Sequence, residues 1–186
     1  MPTYTNMTYY ASSGAATGLA PTWTSPGRVS GVADTVATFC PVSGGTNSAI
    51  LYGSGFNPGI PTTANIASGT MNVVHRQASG AVGATVIGQF YAGLSPGVDV
   101  FFGQSLNNAP TGAAYSTFTV SLPASVLTPT ILNDSRFYCG LNYSGVSGTG
   151  SMDVDSIYIT VAYDVGGTPF YKTTSLWRNG VGHTKK

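Results

Sequence analysis

Apolar and polar residues alternate with a period of two along most of this chain. TMNVVHRQ (70–77) sets Met71, Val73 and His75 on one side, and RFYCGLNY (136–143) does the same with Phe137, Cys139, Leu141 and Tyr143. Successive side chains of a strand point to opposite faces, so this pattern predicts half-buried strands. TVATFCPV (35–42), SAILYGSG (48–55), ATVIGQFYAG (84–93), VDVFFG (98–103), YSTFTVSL (115–122) and SMDVDSIYITVAYD (151–164) continue the series. Turn clusters such as SGG, NPG, ASGAVG, NNAPTG and SGVSGTG separate these runs. About eight short strands at even spacing, joined by Gly- and Pro-rich turns, predict an all-β chain with a single sandwich or barrel. One segment departs from the pattern. In PASVLTPTILNDS, Thr128 can cap and Pro129 can take the first position of a short helix ending near Asn133.

The last strand contains a conflict of phase. Ile157, Ile159, Val161 and Tyr163 are apolar at odd positions, whereas Met152 and Val154 are apolar at even ones. A regular strand would bury Asp153 and Asp155 with the odd set, and burying unpaired carboxylates is costly. The pattern therefore predicts a bulge or bend near Asp155 and Ser156. With it, Met152 and Val154 face inward, and the two Asp face out or bind the backbone amides of the turn.

Residues 1–34, rich in Ser, Thr, Gly and Ala, lack strong periodicity. They are expected to form an extended arm with a short strand near Tyr9, ahead of a sandwich domain over 35–164. Residues 165–186 differ again, with Lys172, Arg178, Lys185 and Lys186 and no Asp. Residues 1–164 hold three basic residues (Arg28, Arg76 and Arg136) and six Asp, so a body of −3 precedes a tail of +4. Phe170, Tyr171 and Trp177 accompany the tail's charges. Aromatic and basic side chains are favoured anchors at interfaces. The tail, through Phe170, Tyr171, Lys172, Trp177, Arg178, Lys185 and Lys186, is expected to be a docking arm.

Composition sharpens this picture. Charged residues are only 7% of the chain, with no Glu, whereas Gly numbers 25 and Pro 11. Exposed helices depend on Glu, Lys and Arg, so long surface helices are not expected. A free protein usually keeps a charged surface. A surface of Ser, Thr, Asn, Gly and Tyr instead suits a chain covered by neighbours or exposed to harsh external conditions. The N-terminus lacks the basic and apolar regions of a signal peptide, and no window reaches the ~18 apolar residues of a membrane helix. Cys40 and Cys139 are read as buried thiols rather than a disulfide.

Candidate chemistry is sparse. His75 and His183 are the two histidines, far apart in sequence, and neither G-x-S-x-G nor HExxH occurs. The residues give no catalytic site, cofactor or metal set, and the chain is read as not an enzyme. Asp153 and Asp155 are the one close carboxylate pair, but Ser156 and Ile157 break the EF-hand pattern. Calcium held by this pair and remote carbonyls is the alternative reading. A body of −3 lacks the basic footprint of nucleic-acid binding. A surface of Tyr, Trp, Asn and Thr also suits a carbohydrate-binding module, although Tyr is simply a good strand residue.

Three segments together carry a resemblance. ILYGSGFNPGIPTTANIASGTMNVVHRQASG, LTPTILNDSRFYCGLNY and SMDVDSIYITVAYD resemble, in order and spacing, a jelly-roll domain of structural proteins of tailed bacteriophages. The similarity spans residues 23–164 and leaves both termini outside it. It implies a virion component assembled in the host cytoplasm: a capsid decoration (cement) protein, or another head or tail accessory. The partners implied are other virion proteins and further copies of the chain, with no enzymatic activity, nucleic acid or membrane. Scaffolds are reused, so the resemblance alone does not fix the position in the particle. A glycan on a cell surface remains the partner under the carbohydrate-binding reading.

Overall fold

The structure, a computed structural model, describes residues 4–18, 23–31, 36–39, 48–79, 87–96, 101–105, 114–144 and 151–164. Among the described residues, ten strands lie in two antiparallel sheets. They are β1 (Thr5–Tyr10), β2 (Ser13–Thr17), β3 (Ala37–Phe39), β4 (Ile50–Ser54), β5 (Asn65–Ser79), β6 (Ile87–Gly93), β7 (Phe101–Ser105), β8 (Ser116–Ser121), β9 (Tyr138–Ser144) and β10 (Ser151–Asp164). Sheet A has the order β1-β10-β5-β8, with β3 also paired to β10, and sheet B the order β2-β4-β9-β6-β7.

The topology is a hairpin rolled up on itself. Strand β6 pairs with β7, β5 with β8, β4 with β9 and β3 with β10, so the chain from 37 to 164 folds back along its whole length. Two further pairings, β5 with β10 and β6 with β9, close the roll into two layers. This is a jelly roll, and its eight strands are the runs of alternating residues read from the sequence.

The two earlier strands are additions to that roll. The segment expected as an extended arm with a short strand near Tyr9 holds that strand as β1, beside β10 in sheet A, and adds β2 beside β4 in sheet B. Trp23 and Val29 are buried in the same core, with the Trp23 indole donating to Ala49 O at 2.8 Å. Small residues let β2 pack closely: a Cβ on Gly14 would lie 2.5 Å from Pro26 O and 2.5 Å from Val29 Cγ2. The low periodicity of Thr5–Tyr10 and Ser13–Thr17 thus reflects edge strands with little apolar surface to bury.

The core lies between the sheets. Met71, Val73, Ile157, Ile159 and Val161 enter it from sheet A, and Leu51, Phe90, Cys139, Leu141 and Tyr143 from sheet B. The rings of Phe90 and Phe118 stack across the layers at 4.9 Å. The short helix α1 (Pro129–Leu132) begins as expected, with Thr128 accepting from the Ile131 amide at 3.2 Å. Just beyond it, the Asn133 amide clamps the backbone of Ile60, accepting from its N–H at 2.9 Å and donating to its C=O at 2.6 Å. Phe56 and Phe137 meet alongside at 5.8 Å. These contacts join the segments GIPTTANI and LTPTILND, two of those that carried the sequence resemblance.

The phase conflict in β10 resolves as a bulge. Val154 pairs with His75 and Ser156 with Val74, leaving Asp155 without an opposite residue on β5. Met152 and Val154 are buried on one side of it, and Ile157, Ile159 and Val161 on the other.

Candidate interaction surface

The face of sheet A turned away from sheet B is built in cross-strand rows. In the first, Asp153 stands between Thr38 of β3 and Arg76 of β5, each directly opposite in register. Thr38 Oγ1 donates to Asp153 Oδ1 at 2.7 Å, and Arg76 Nε and Nη2 both donate to Oδ2 at 3.0 Å. The Arg76 guanidinium lies 4.5 Å from the centroid of the Tyr115 ring, a cation–π contact that completes the row.

This arrangement corrects one expectation. Asp153 lies on the outward face as expected, but neither it nor Asp155 is exposed to solvent; both are buried. The reason for Asp153 is its register, which places a hydroxyl and a guanidinium on its two flanks, so its charge is paired and hydrogen-bonded under their cover. No group of three or more His, Cys or Asp that could hold a metal occurs among the described residues.

The next rows carry no charge. Tyr10, Tyr158, Asn72 and Thr119 follow one another across β1, β10, β5 and β8, and Thr8, Thr160, Thr70 and Ser121 run beside them. Asn72 organises both rows. Its amide nitrogen donates to Thr70 and Thr160 hydroxyls at 3.3 Å each, and its oxygen accepts from Thr119 at 2.8 Å. Thr8 and Thr160 hydroxyls lie 3.4 Å apart, and the Tyr10 and Tyr158 rings 5.1 Å apart. The result is a lattice of hydroxyls and amides with an aromatic pair at its β1 margin.

That margin is an open edge. Strand β1, TNMTYY, contains no charged residue and no proline, and it is an outermost strand of sheet A. Natural edges are usually blunted by Lys, Pro or a bulge. Four large apolar or aromatic residues are exposed among the described residues, and three of them, Tyr4 (42%), Met7 (41%) and Tyr10 (37%), lie in or next to β1. On its inner side, Tyr9 hydrogen-bonds Tyr163; burial first, and then this bond, push the Tyr9 phenol up to about 12.

The titratable groups of the core are built for packing. His75 points between the sheets and reaches Tyr143 of β9, and burial lowers its pKa to about 4. Burial likewise drives the Cys139 thiol and the Tyr143 phenol far above their ordinary ranges. A neutral imidazole hydrogen-bonded to a buried phenol does not by itself make a base–nucleophile pair.

The docking residues expected in the tail, Phe170, Tyr171, Lys172, Trp177, Arg178, Lys185 and Lys186, lie outside the described residues. So does Cys40. Sequence reasoning missed the β1 edge and the Arg76–Asp153 pair. The signal for the first was TNMTYY itself, six residues without Gly, Pro or charge in a stretch otherwise rich in small residues.

No family model matches the chain, and no curated protein matches it in sequence. Several solved structures align with the chain, each with a TM-score below 0.5. A xylan-binding module, CBM15, aligns at 13% identity over 86% of this chain and 97% of its own, with a TM-score of 0.46. A structure from a study of promiscuous carbohydrate-binding modules of the β-sandwich superfamily aligns at 17% identity over 83% and 55%, with a TM-score of 0.42. A structure of infectious bursal disease virus, Gt strain, aligns at 15% identity over 87% and 37%, with a TM-score of 0.29. At these scores no function passes from them to this chain. No described helix is long and apolar enough to cross a membrane.

Proposed function

We propose that this chain is a non-enzymatic structural component of a tailed-phage virion, a capsid decoration (cement) protein or another head or tail accessory. It acts by binding neighbouring subunits and so stabilising the particle. The observation that supports this reading is the β1 edge, uncharged and carrying exposed Tyr4, Met7 and Tyr10. Such an edge is a hazard on a freely diffusing protein and an asset on one that is covered in an assembly. The basic, aromatic residues of 165–186 serve in this reading as a second docking arm. The test is to image intact particles and locate the chain in the density. Deleting residues 166–186 is expected to leave a folded protein that no longer enters particles. Normal incorporation of that truncation rules out the arm, and absence of the chain from purified particles rules out the virion reading.

A second reading rests on a different observation. The Tyr10–Tyr158 ring pair stands beside the hydroxyls and amide of Thr119, Thr160 and Asn72, a combination of aromatic platform and polar partners that suits a sugar. Under this reading the face binds a cell-surface glycan. A glycan array would show saturable binding that disappears in Tyr158→Ala, and no binding across a broad array would exclude it.

A further inference from the structure

The bonding parity of β1 can be worked out. Ala11 N donates to Ile157 O at 3.3 Å, continuing the register Thr5↔Tyr163, Met7↔Val161 and Tyr9↔Ile159. In an antiparallel ladder, bonded pairs recur every second residue. The odd residues of β1 therefore exchange their backbone bonds with β10. The N–H and C=O groups of Asn6, Thr8 and Tyr10 point the other way, to the open edge. Among the described residues no strand pairs with that side.

A strand added there must bond at the even positions and keep like faces together. The two-fold registers of β1 against itself that meet both conditions and pair at least five of the residues Tyr4–Tyr10 are centred on Asn6, Met7 or Thr8. The exposed residues Tyr4, Met7 and Tyr10 are spaced symmetrically about Met7. Only the Met7-centred register opposes each of them to another of the three: Met7 meets its own copy, and Tyr4 meets Tyr10 at both ends. Met7 then occupies a non-bonded pair, where side chains come closest, on the core side beside buried Val161. The Asn6-centred register sets Met7 against Thr5, and the Thr8-centred one sets Tyr10 against Asn6.

We infer that β1 pairs antiparallel with the β1 of a second copy of this chain, about a two-fold axis through Met7. The pairing is isologous and closes after two copies. It runs the two A sheets into one continuous sheet with β1 and its copy at the centre, a self-directed form of strand addition. This inference rests on reading β1 as an assembly edge and commits that edge to a second copy.

Sedimentation of the purified full chain tests it. The wild type is expected to be a dimer. Thr8→Pro removes a donor that points away from β10, so the strand's own ladder survives while dimer affinity falls at least about tenfold. Met7→Lys places a charge on the axis and is expected to give a monomer with the circular dichroism of the wild type; it carries the test if Thr8→Pro fails to fold. On mild oxidation, Met7→Cys is expected to form a covalent dimer, while Asn6→Cys and Thr8→Cys stay at the wild-type level. A monomeric wild type overturns the inference, as does a dimer indifferent to both substitutions. Cross-linking through Thr8→Cys or Asn6→Cys instead of Met7→Cys overturns the register. A monomer that dimerises once residues 165–186 are removed shows the chain's own tail in the place assigned to the second copy, which also overturns it. The virion reading fails separately: a dimer missing from particles overturns that reading alone, and a monomer found in particles overturns the dimer alone.

Discussion

His75 Nδ1 of sheet A lies 2.7 Å from the Tyr143 hydroxyl of sheet B, a hydrogen bond that crosses the core between the two layers. The rings stack at 6.2 Å, and Trp23 packs on Tyr143 at 5.8 Å. Tyr143→Phe keeps the ring and removes only the hydroxyl. It leaves a buried imidazole nitrogen without this partner, so it is expected to cost about 1–3 kcal/mol. Thermal unfolding of the two proteins checks this, and an unchanged Tm would mean the bond contributes nothing.

The same histidine makes stability depend on pH. Burial holds His75 at about 4 in the folded protein, against 6.5 unfolded. Above 6.5 both states are neutral and no penalty exists. As pH falls from 6.5 towards 4, the unfolded state takes up a proton that the folded state refuses, and stability is lost, by about 3 kcal/mol at the lower end. Urea midpoints measured at intervals from pH 7.5 to 4.5 should fall across this window. His75→Gln should flatten the curve.

The Asp153 row makes a different prediction. Arg76 is about one-third exposed, 34%, whereas Asp153 is buried, so the pair is screened on one side only. Asp153→Ala strips the guanidinium and Thr38 of their common acceptor and is expected to cost about 2 kcal/mol, below the range for a fully buried pair. A double-mutant cycle with Arg76→Ala should return a coupling of about 1 kcal/mol. Addition of EDTA is expected to leave the Tm unchanged; a drop would bring back the calcium reading of Asp153 and Asp155.

Gly14 tests how tightly the N-terminal strands are built in. Its hypothetical Cβ meets the backbone oxygen of Pro26, which cannot rotate away. Gly14→Ala is expected to destabilise by about 1–3 kcal/mol through overpacking. A neutral result would show that β2 and the turn at Pro26–Val29 separate freely.

Much of the fold could be read in the sequence because side-chain alternation is a local signal. All eight strands of the roll and the bulge at Asp155 follow from it, the last because Met152–Val154 and Ile157–Val161 could not be buried on one phase, while the Thr128 cap is legible from the Thr-Pro pair that opens the helix. What β1 and β2 do was not legible. An edge strand buries one face partly and needs no strong alternation, so only a short strand near Tyr9 can be read there, without its place beside β10 and without the strand Ser13–Thr17. The pairing of Asp153 with Arg76 was hidden for another reason: it depends on the register of strands 77 residues apart, which alternation does not encode. His75 was placed correctly on the face of Met71 and Val73, but its partner came from the opposite sheet.

The rolled hairpin has a consequence for synthesis. The innermost pairing, β6 with β7, involves neighbours in the chain, but β1 must wait for β10: Thr5 pairs with Tyr163. Until β10 has left the ribosome, β1 has no place to go, and the edge of β5 that β10 will occupy lies bare. Such long-range closure is slow. The nascent chain therefore carries its uncharged strand β1 unsheltered until β10 is made, and chaperones that bind short apolar segments would meet it there.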